Sequence, residues 1–127
     1  YVYLLFGTPA EDISEAKNTL EFTANHIQFM DFLNLAIFNL PVNSPDTARL
    51  RTKKFYEGDL SLYTGFKHPR GWDRQKVRQF LENDFKKHPS IQTVLVNHPP
   101  FFTSNHAPFF KLEGFEKRQQ NIRMVGP

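Results

Sequence analysis

Cysteine is absent from the 127 residues. That removes disulfides, zinc–thiolate sites, iron–sulfur ligation by this chain and a thiol nucleophile together. No apolar run approaches the roughly 20 residues of a membrane span, and no basic start with an apolar centre marks a signal peptide, so cytoplasm is the default expectation. Charge of one sign is not concentrated either. Sixteen Lys plus Arg against thirteen Asp plus Glu leave +3 spread along the chain, whereas nucleic-acid binding wants a clustered basic face. Apolar residues are few, at 39%. Paired carboxylates of the glycosidase kind are missing, since Glu11 and Asp12 are adjacent, and internal repeats are missing as well.

What is abundant is phenylalanine, fourteen against one tryptophan. A domain of this length buries roughly two-thirds of its unfolded surface, and these rings supply the bulk of a core. They also form more clusters than a lone small domain needs, which points to a missing partner layer. Tyr1 is not an initiator methionine, and the apolar run Tyr1–Phe6 has no polar lead-in. The expectation is a segment of a longer chain that lacks an N-terminal part, exposes strand edges and associates through them into homo-oligomers.

Tyr1–Phe6, bounded by Gly7 and Pro9, reads as a strand covered on both faces, as in a parallel sheet. Glu11 and Asp12 open a helix over about 10–26, where acidic groups suit the positive N-terminal end. Ile13, Ala16, Leu20, Ala24 and Ile27 form its apolar stripe. Phe32–Leu40 reads as a second buried strand ended by Pro41. Strand, helix and strand in about forty residues make a βαβ crossover, so the two strands should be parallel and the connection right-handed. Val42–Asp46 is turn-like, and Asp46–Lys54 reads as a short helix with a basic side. Leu60–Tyr63 is an apolar patch, and Gly65–Gly71 a loop. A helix over about 72–88 buries Val77, Phe80, Leu81 and Phe85, with Asp73 near its cap. Pro89 ends it or opens another. Ile91, Val94 and Leu95 favour a helix over a strand, and three prolines in His98–Phe110 exclude regular structure. A polar tail follows.

Several residues have the chemistry for a site. Gly7-Thr8-Pro9 stands after a strand and before a helix, where parallel α/β sheets place ligands, or makes only a tight turn. His98, followed by two prolines, resembles a metal-binding histidine of metallophosphoesterases. The chain lacks the D-x-H and Gly-Asp motifs such sites also need, so a loop histidine bonded to backbone is the competing reading. His106 lies in an aromatic loop that plugs the fold or lines an apolar pocket. Tyr63, Lys67, His68, Arg70 and Trp72 form a polar–aromatic cluster that contacts a substrate or caps a helix. A nucleic-acid or protein-binding module ranks low, because its stacking aromatics should be exposed and these sit in runs that look buried.

Three segments together resemble radical S-adenosylmethionine Fe–S oxidoreductases. Tyr3–Glu11 (YLLFGTPAE) is similar to the fifth-strand motif, an apolar strand running into Gly-Phe-Pro-Gly-Glu-Thr. Thr8 and Ala10 stand where Phe and Gly are common. Ile37–Pro41 (IFNLP) is similar to the sixth strand. Asp59–Trp72 and then Asn97–Phe110 resemble the C-terminal stretch of members that often carry a cobalamin-binding domain. The resemblance covers residues 1–110. It implies a fragment of a (β/α) barrel, residues 1–58 forming its βαβ part, 59–110 a mainly helical C-terminal extension and 111–127 a frayed tail. It implies a [4Fe-4S] cluster and S-adenosylmethionine in the whole protein, with cobalamin in that subgroup. The cluster would be held by C-x-x-x-C-x-x-C upstream, leaving this chain inactive alone and without a metal of its own. By position, Leu5, Gly7, Ile37 and Phe38 would contact the cofactor. Tyr63, Arg70, Trp72 and His106 are the candidates for substrate, and no catalytic residue is assigned.

Overall fold

A computed structural model of the protein describes residues 1–55, 58 and 60–97. His98, His106, the proline-rich loop and the polar tail lie outside the described residues.

Strand β1 (Val2–Phe6) pairs in parallel with β2 (Leu33–Ile37), Val2 opposite Leu33 and Phe6 opposite Ile37. Parallel neighbours need a long connection, here supplied by helix α1 (Ile13–Asn25) and the 3-10 turn Ile27–Phe29. Asp12 and Glu15 start α1 with a capping box: the Asp12 carboxylate accepts from the Glu15 N–H, and the Glu15 carboxylate accepts from the Asp12 N–H. Two orphan donors of the first turn are thereby satisfied. Of the expected stripe, Ala16 is fully buried and Leu20, Ala24 and Ile27 pack at its margin, while Ile13 is exposed. Thr23 joins the buried face because its hydroxyl donates to the Thr19 carbonyl at 2.7 Å, so no polar group is left bare.

The chain then departs from a barrel. After Ile37 no helical crossover to a third parallel strand follows. Instead β3 (Leu40–Pro41) pairs antiparallel with β5 (Tyr63–Phe66), which pairs antiparallel with β4 (Thr52–Lys53). The protein is a small α/β fold with a two-stranded parallel sheet and a three-stranded antiparallel sheet in the order β3-β5-β4. The expected fragment of a (β/α) barrel is therefore overturned, because every pairing after residue 38 among the described residues runs the wrong way for one. The run Phe32–Leu40 is two strands, broken at exposed Asn39. Pro41, with no N–H to give, stands on an edge strand where none is required.

The helix expected over 46–54 is also absent. Ser44 caps a single 3-10 turn, Pro45–Ala48, and the chain straightens into β4. Arg49 and Lys53 would sit one turn apart on a helix as like charges, and Thr52 is β-branched. Pairing with β5 is the better use of this backbone. Gly65 makes that pairing close: a Cβ there would lie 2.8 Å from the Lys53 carbonyl oxygen. Of the loop expected over Gly65–Gly71, Gly65 and Phe66 complete β5 and the rest has no regular structure, and the described part of the C-terminal extension adds this one strand to its helical segments.

Helix α2 (Arg74–Phe80) starts at Asp73, whose carboxylate accepts from the Lys76 N–H. It continues as a π-helical turn, Leu81–Phe85, and Pro89 opens α3 (Pro89–Leu95). The widened turn brings Val77, Phe80, Leu81 and Phe85 all to the buried side. There Phe6 meets Phe85 edge-on at 5.4 Å between ring centres, and Trp72 meets Phe80 at 5.7 Å. Each such pair adds about 0.5–1.5 kcal/mol to the burial of its rings. Ile91 and Val94 close the cluster.

This core covers only one face of the parallel sheet. Phe6 is buried, while Tyr3 is 59% and Leu5 44% exposed on the opposite face. Among the described residues, the expectation that β1 is covered on both faces does not hold. Among the described residues, no helix is long and apolar enough to cross a membrane.

Candidate functional site

The carboxyl ends of β1 and β2 open onto a cleft of about 230 Å³. Gly7, Ile37, Phe38 and Leu40 form its floor, β5 contributes Thr64, Gly65 and Phe66, and Trp72 to Gln75 close the far side. The size falls below the roughly 300–1,000 Å³ of pockets that enclose a drug-sized ligand. It suits one heterocyclic ring.

Gly7 is where the strand must turn sharply away from the cleft. Its φ is +82°, and a Cβ would stand 3.3 Å from Val77 Cγ2. Only glycine takes this conformation without strain, and the bare Cα leaves the backbone open to the cleft. The turn is then clamped from the other side of the molecule. One Glu11 carboxylate oxygen accepts from the Gly7 N–H at 2.9 Å and from the Trp72 indole N–H at 2.5 Å. Buried His68 bridges the same two segments: Nε2–H donates to the Thr8 carbonyl at 2.8 Å, and Nδ1 accepts from the Arg70 and Trp72 backbone N–H groups. Those three bonds select the Nε2–H tautomer. His68 therefore positions the turn and has no ring nitrogen left for a ligand.

Arg70 lies outside the cleft. Its guanidinium donates to the Ala10 carbonyl, to Glu15 and to Asp12 at the start of α1. The Glu15 backbone N–H holds the Asp12 carboxyl below its usual range, against an opposing desolvation, and the Arg70 charge acts in the same direction as that hydrogen bond. This is an ion-paired cap at an exposed rim. On the cleft wall, Arg74 donates to the Asn39 side-chain oxygen at 2.6 Å. Burial, then the Arg78 charge, pushes the Arg74 guanidinium down from its ordinary value, and it stays a cation at neutral pH.

Of the cofactor candidates, the structure brings Gly7, Ile37 and Phe38 together in the cleft and leaves Leu5 on the uncovered face of the sheet. Of the substrate candidates, Trp72 lines the cleft, Tyr63 is half exposed at the start of β5, Arg70 is occupied at the α1 cap, and His106 lies outside the described residues. Sequence reasoning missed Glu11, Asn39, Thr64 and Arg74. Glu11 carried a signal, being the carboxylate one turn beyond a strand-ending glycine. Asn39 and Arg74 carried none, because 35 residues separate them. Among the described residues, no three His, Asp or Glu side chains gather as a metal site. The chain matches no family model, no curated protein and no solved structure.

Proposed function

We propose that this chain supplies the adenine-side wall of the cofactor site in a radical S-adenosylmethionine Fe–S oxidoreductase, and is catalytically inert by itself. The observation that carries the reading is the cleft, where Gly7, Ile37 and Phe38, singled out by motif, meet Trp72 at the carboxyl ends of two parallel strands. Ligands of open parallel sheets sit at that end. The reading rests on this cleft and on the motifs, and it does not require a barrel.

The residues present fit an adenine ring. Ile37, Phe38, Phe66 and Trp72 offer apolar surface for its faces, and the Asn39 and Gln75 amides stand at the cleft with polar atoms for its edge. The Gln75 amide has no side-chain hydrogen bond among the described residues, and the Asn39 NH2 group is available because Arg74 takes only the oxygen. The cluster is a different matter: with no cysteine, this chain offers it no thiolate. In this reading another part of the protein holds the [4Fe-4S] group and supplies the reductive cleavage of the cofactor, and cobalamin belongs to the same wider assembly. What these 127 residues do is hold the ring, exclude water from one of its faces and fix its distance from β1 and β2.

Trp72 is the single tryptophan, so its fluorescence reports the cleft directly. Titration with S-adenosylhomocysteine should give a saturable change that free methionine does not reproduce. Phe38→Ala, which removes a ring lining the cleft, should weaken it. A flat titration with every adenosine compound up to millimolar concentration would sink the reading.

A further inference from the structure

A second groove borders β4 and β5, about 510 Å³ and open to solvent. Arg51, Lys53, Lys54 and Lys67 line it, and among the described residues no carboxylate does. None of the four takes part in an ion pair among the described residues. Four cations around one concavity, with no described carboxylate beside them, hold a positive potential there. On an edge strand, lysines blunt pairing with other chains, but that role needs no groove and no aromatic floor. Here both are present. The Phe55 ring lies 3.5 Å from where a Gly65 Cβ would stand, filling the space that glycine leaves, and it is 56% exposed. Phe55, Gly65 and Phe66 line both the groove and the cleft.

We propose that this groove is a binding site for a small molecule bearing a phosphate or pyrophosphate group. The anion lies among Arg51, Lys53, Lys54 and Lys67, and the apolar part of the ligand rests on Phe55 towards the cleft. Lys54 and Lys67 serve as point charges, and Arg51 offers a fork of donors to two phosphate oxygens. Four cations gathered around one groove fit a compact anion. The proposal stands on the groove alone. If the cofactor reading also holds, the phosphorylated molecule is the substrate held beside the cofactor.

Calorimetric titration of the whole chain with pyrophosphate tests it. Binding should be saturable and weaken as salt rises, because exposed charges are screened over about 8–10 Å at 0.1–0.15 M. Lys53→Glu with Lys54→Glu should weaken it at least about tenfold, equivalent to about 1.4 kcal/mol. The pair Lys86→Glu and Lys87→Glu, with the same change of net charge outside the groove lining, should leave it unchanged. Lys67→Gln, the mildest change, should give a partial loss with the circular dichroism unaltered. Equal losses in both double variants would mean general cationic attraction and overturn the site, as would an absence of binding at low salt. A single-stranded oligonucleotide binding more tightly than pyrophosphate would overturn the choice of ligand. Because Trp72 reports the cleft and calorimetry reports the groove, either reading can fail while the other survives.

Discussion

The parallel and antiparallel sheets stand side by side, yet they are stabilised in different ways. β1 and β2 lie under a layer of Phe80, Leu81, Phe85, Ile91 and Val94, and their inward side chains are buried or nearly so. The antiparallel sheet buries Leu40 and Thr64, while Leu60 and Leu62 before β5 are 92% and 72% exposed and both residues of β4 are exposed. The first region depends on the hydrophobic effect acting on rings drawn from distant parts of the chain. The second depends on backbone pairing and one close glycine contact. The cleft forms where the two meet, with a rigid floor from one and a lightly held wall from the other.

The largest break in this comparison should come from Phe85→Ala, which removes a fully buried ring in contact with Phe6 and Phe80. A loss of about 3–5 kcal/mol is expected in urea unfolding. Leu62→Ser in the other region should stay within about 0.5 kcal/mol. Comparable costs at the two positions would show that the antiparallel sheet carries more of the stability than its burial suggests.

Next in size is the clamp between the two regions. Glu11→Ala leaves the Gly7 N–H and the Trp72 indole N–H without their acceptor, at about 1–3 kcal/mol. The Trp72 emission should shift with it, whereas a merely exposed carboxylate would change neither.

The glycines sharpen the contrast further. Gly7→Ala forces a Cβ into a left-handed conformation against Val77, costing about 1–2 kcal/mol and lowering global stability. Gly65→Ala meets the Lys53 carbonyl and should act locally. Amide exchange is expected to quicken at Lys67, whose N–H donates to the Arg51 carbonyl, before it quickens in β1. Uniform acceleration through both sheets would contradict the idea that they open separately.

The smallest effect concerns the α1 cap. Asp12 is held below its ordinary range in the folded state by the Glu15 N–H, with Arg70 adding to it. A depressed folded value means the native state binds fewer protons than the unfolded one in acid. The contribution is present above the unfolded value of about 3.9 and disappears as pH falls through the lower folded value. Asp12→Asn keeps a capping oxygen and should flatten this part of the acid unfolding curve without abolishing the helix.

The sequence by itself determined the elements whose signals are local. β1, α1 and β2 follow from an apolar run, a capping box and a second apolar run. Asp73 as a cap and Pro89 at a helix start follow from the same short-range chemistry, and so does glycine at position 7. Each depends on groups within a few residues, so their order along the chain is enough to specify them. Two-residue strands carry no periodicity, so β3 and β4 exist only because β5 offers them partners. Whether the run after Ile37 continued, turned or crossed back was decided by those pairings. The cleft belongs to the same category. Gly7, Asn39, Phe66 and Trp72 become neighbours through the His68 and Glu11 bridges, across about 60 residues of chain. The direction and partner of a non-local contact have no counterpart in local order, and for that reason only the tertiary structure decided them.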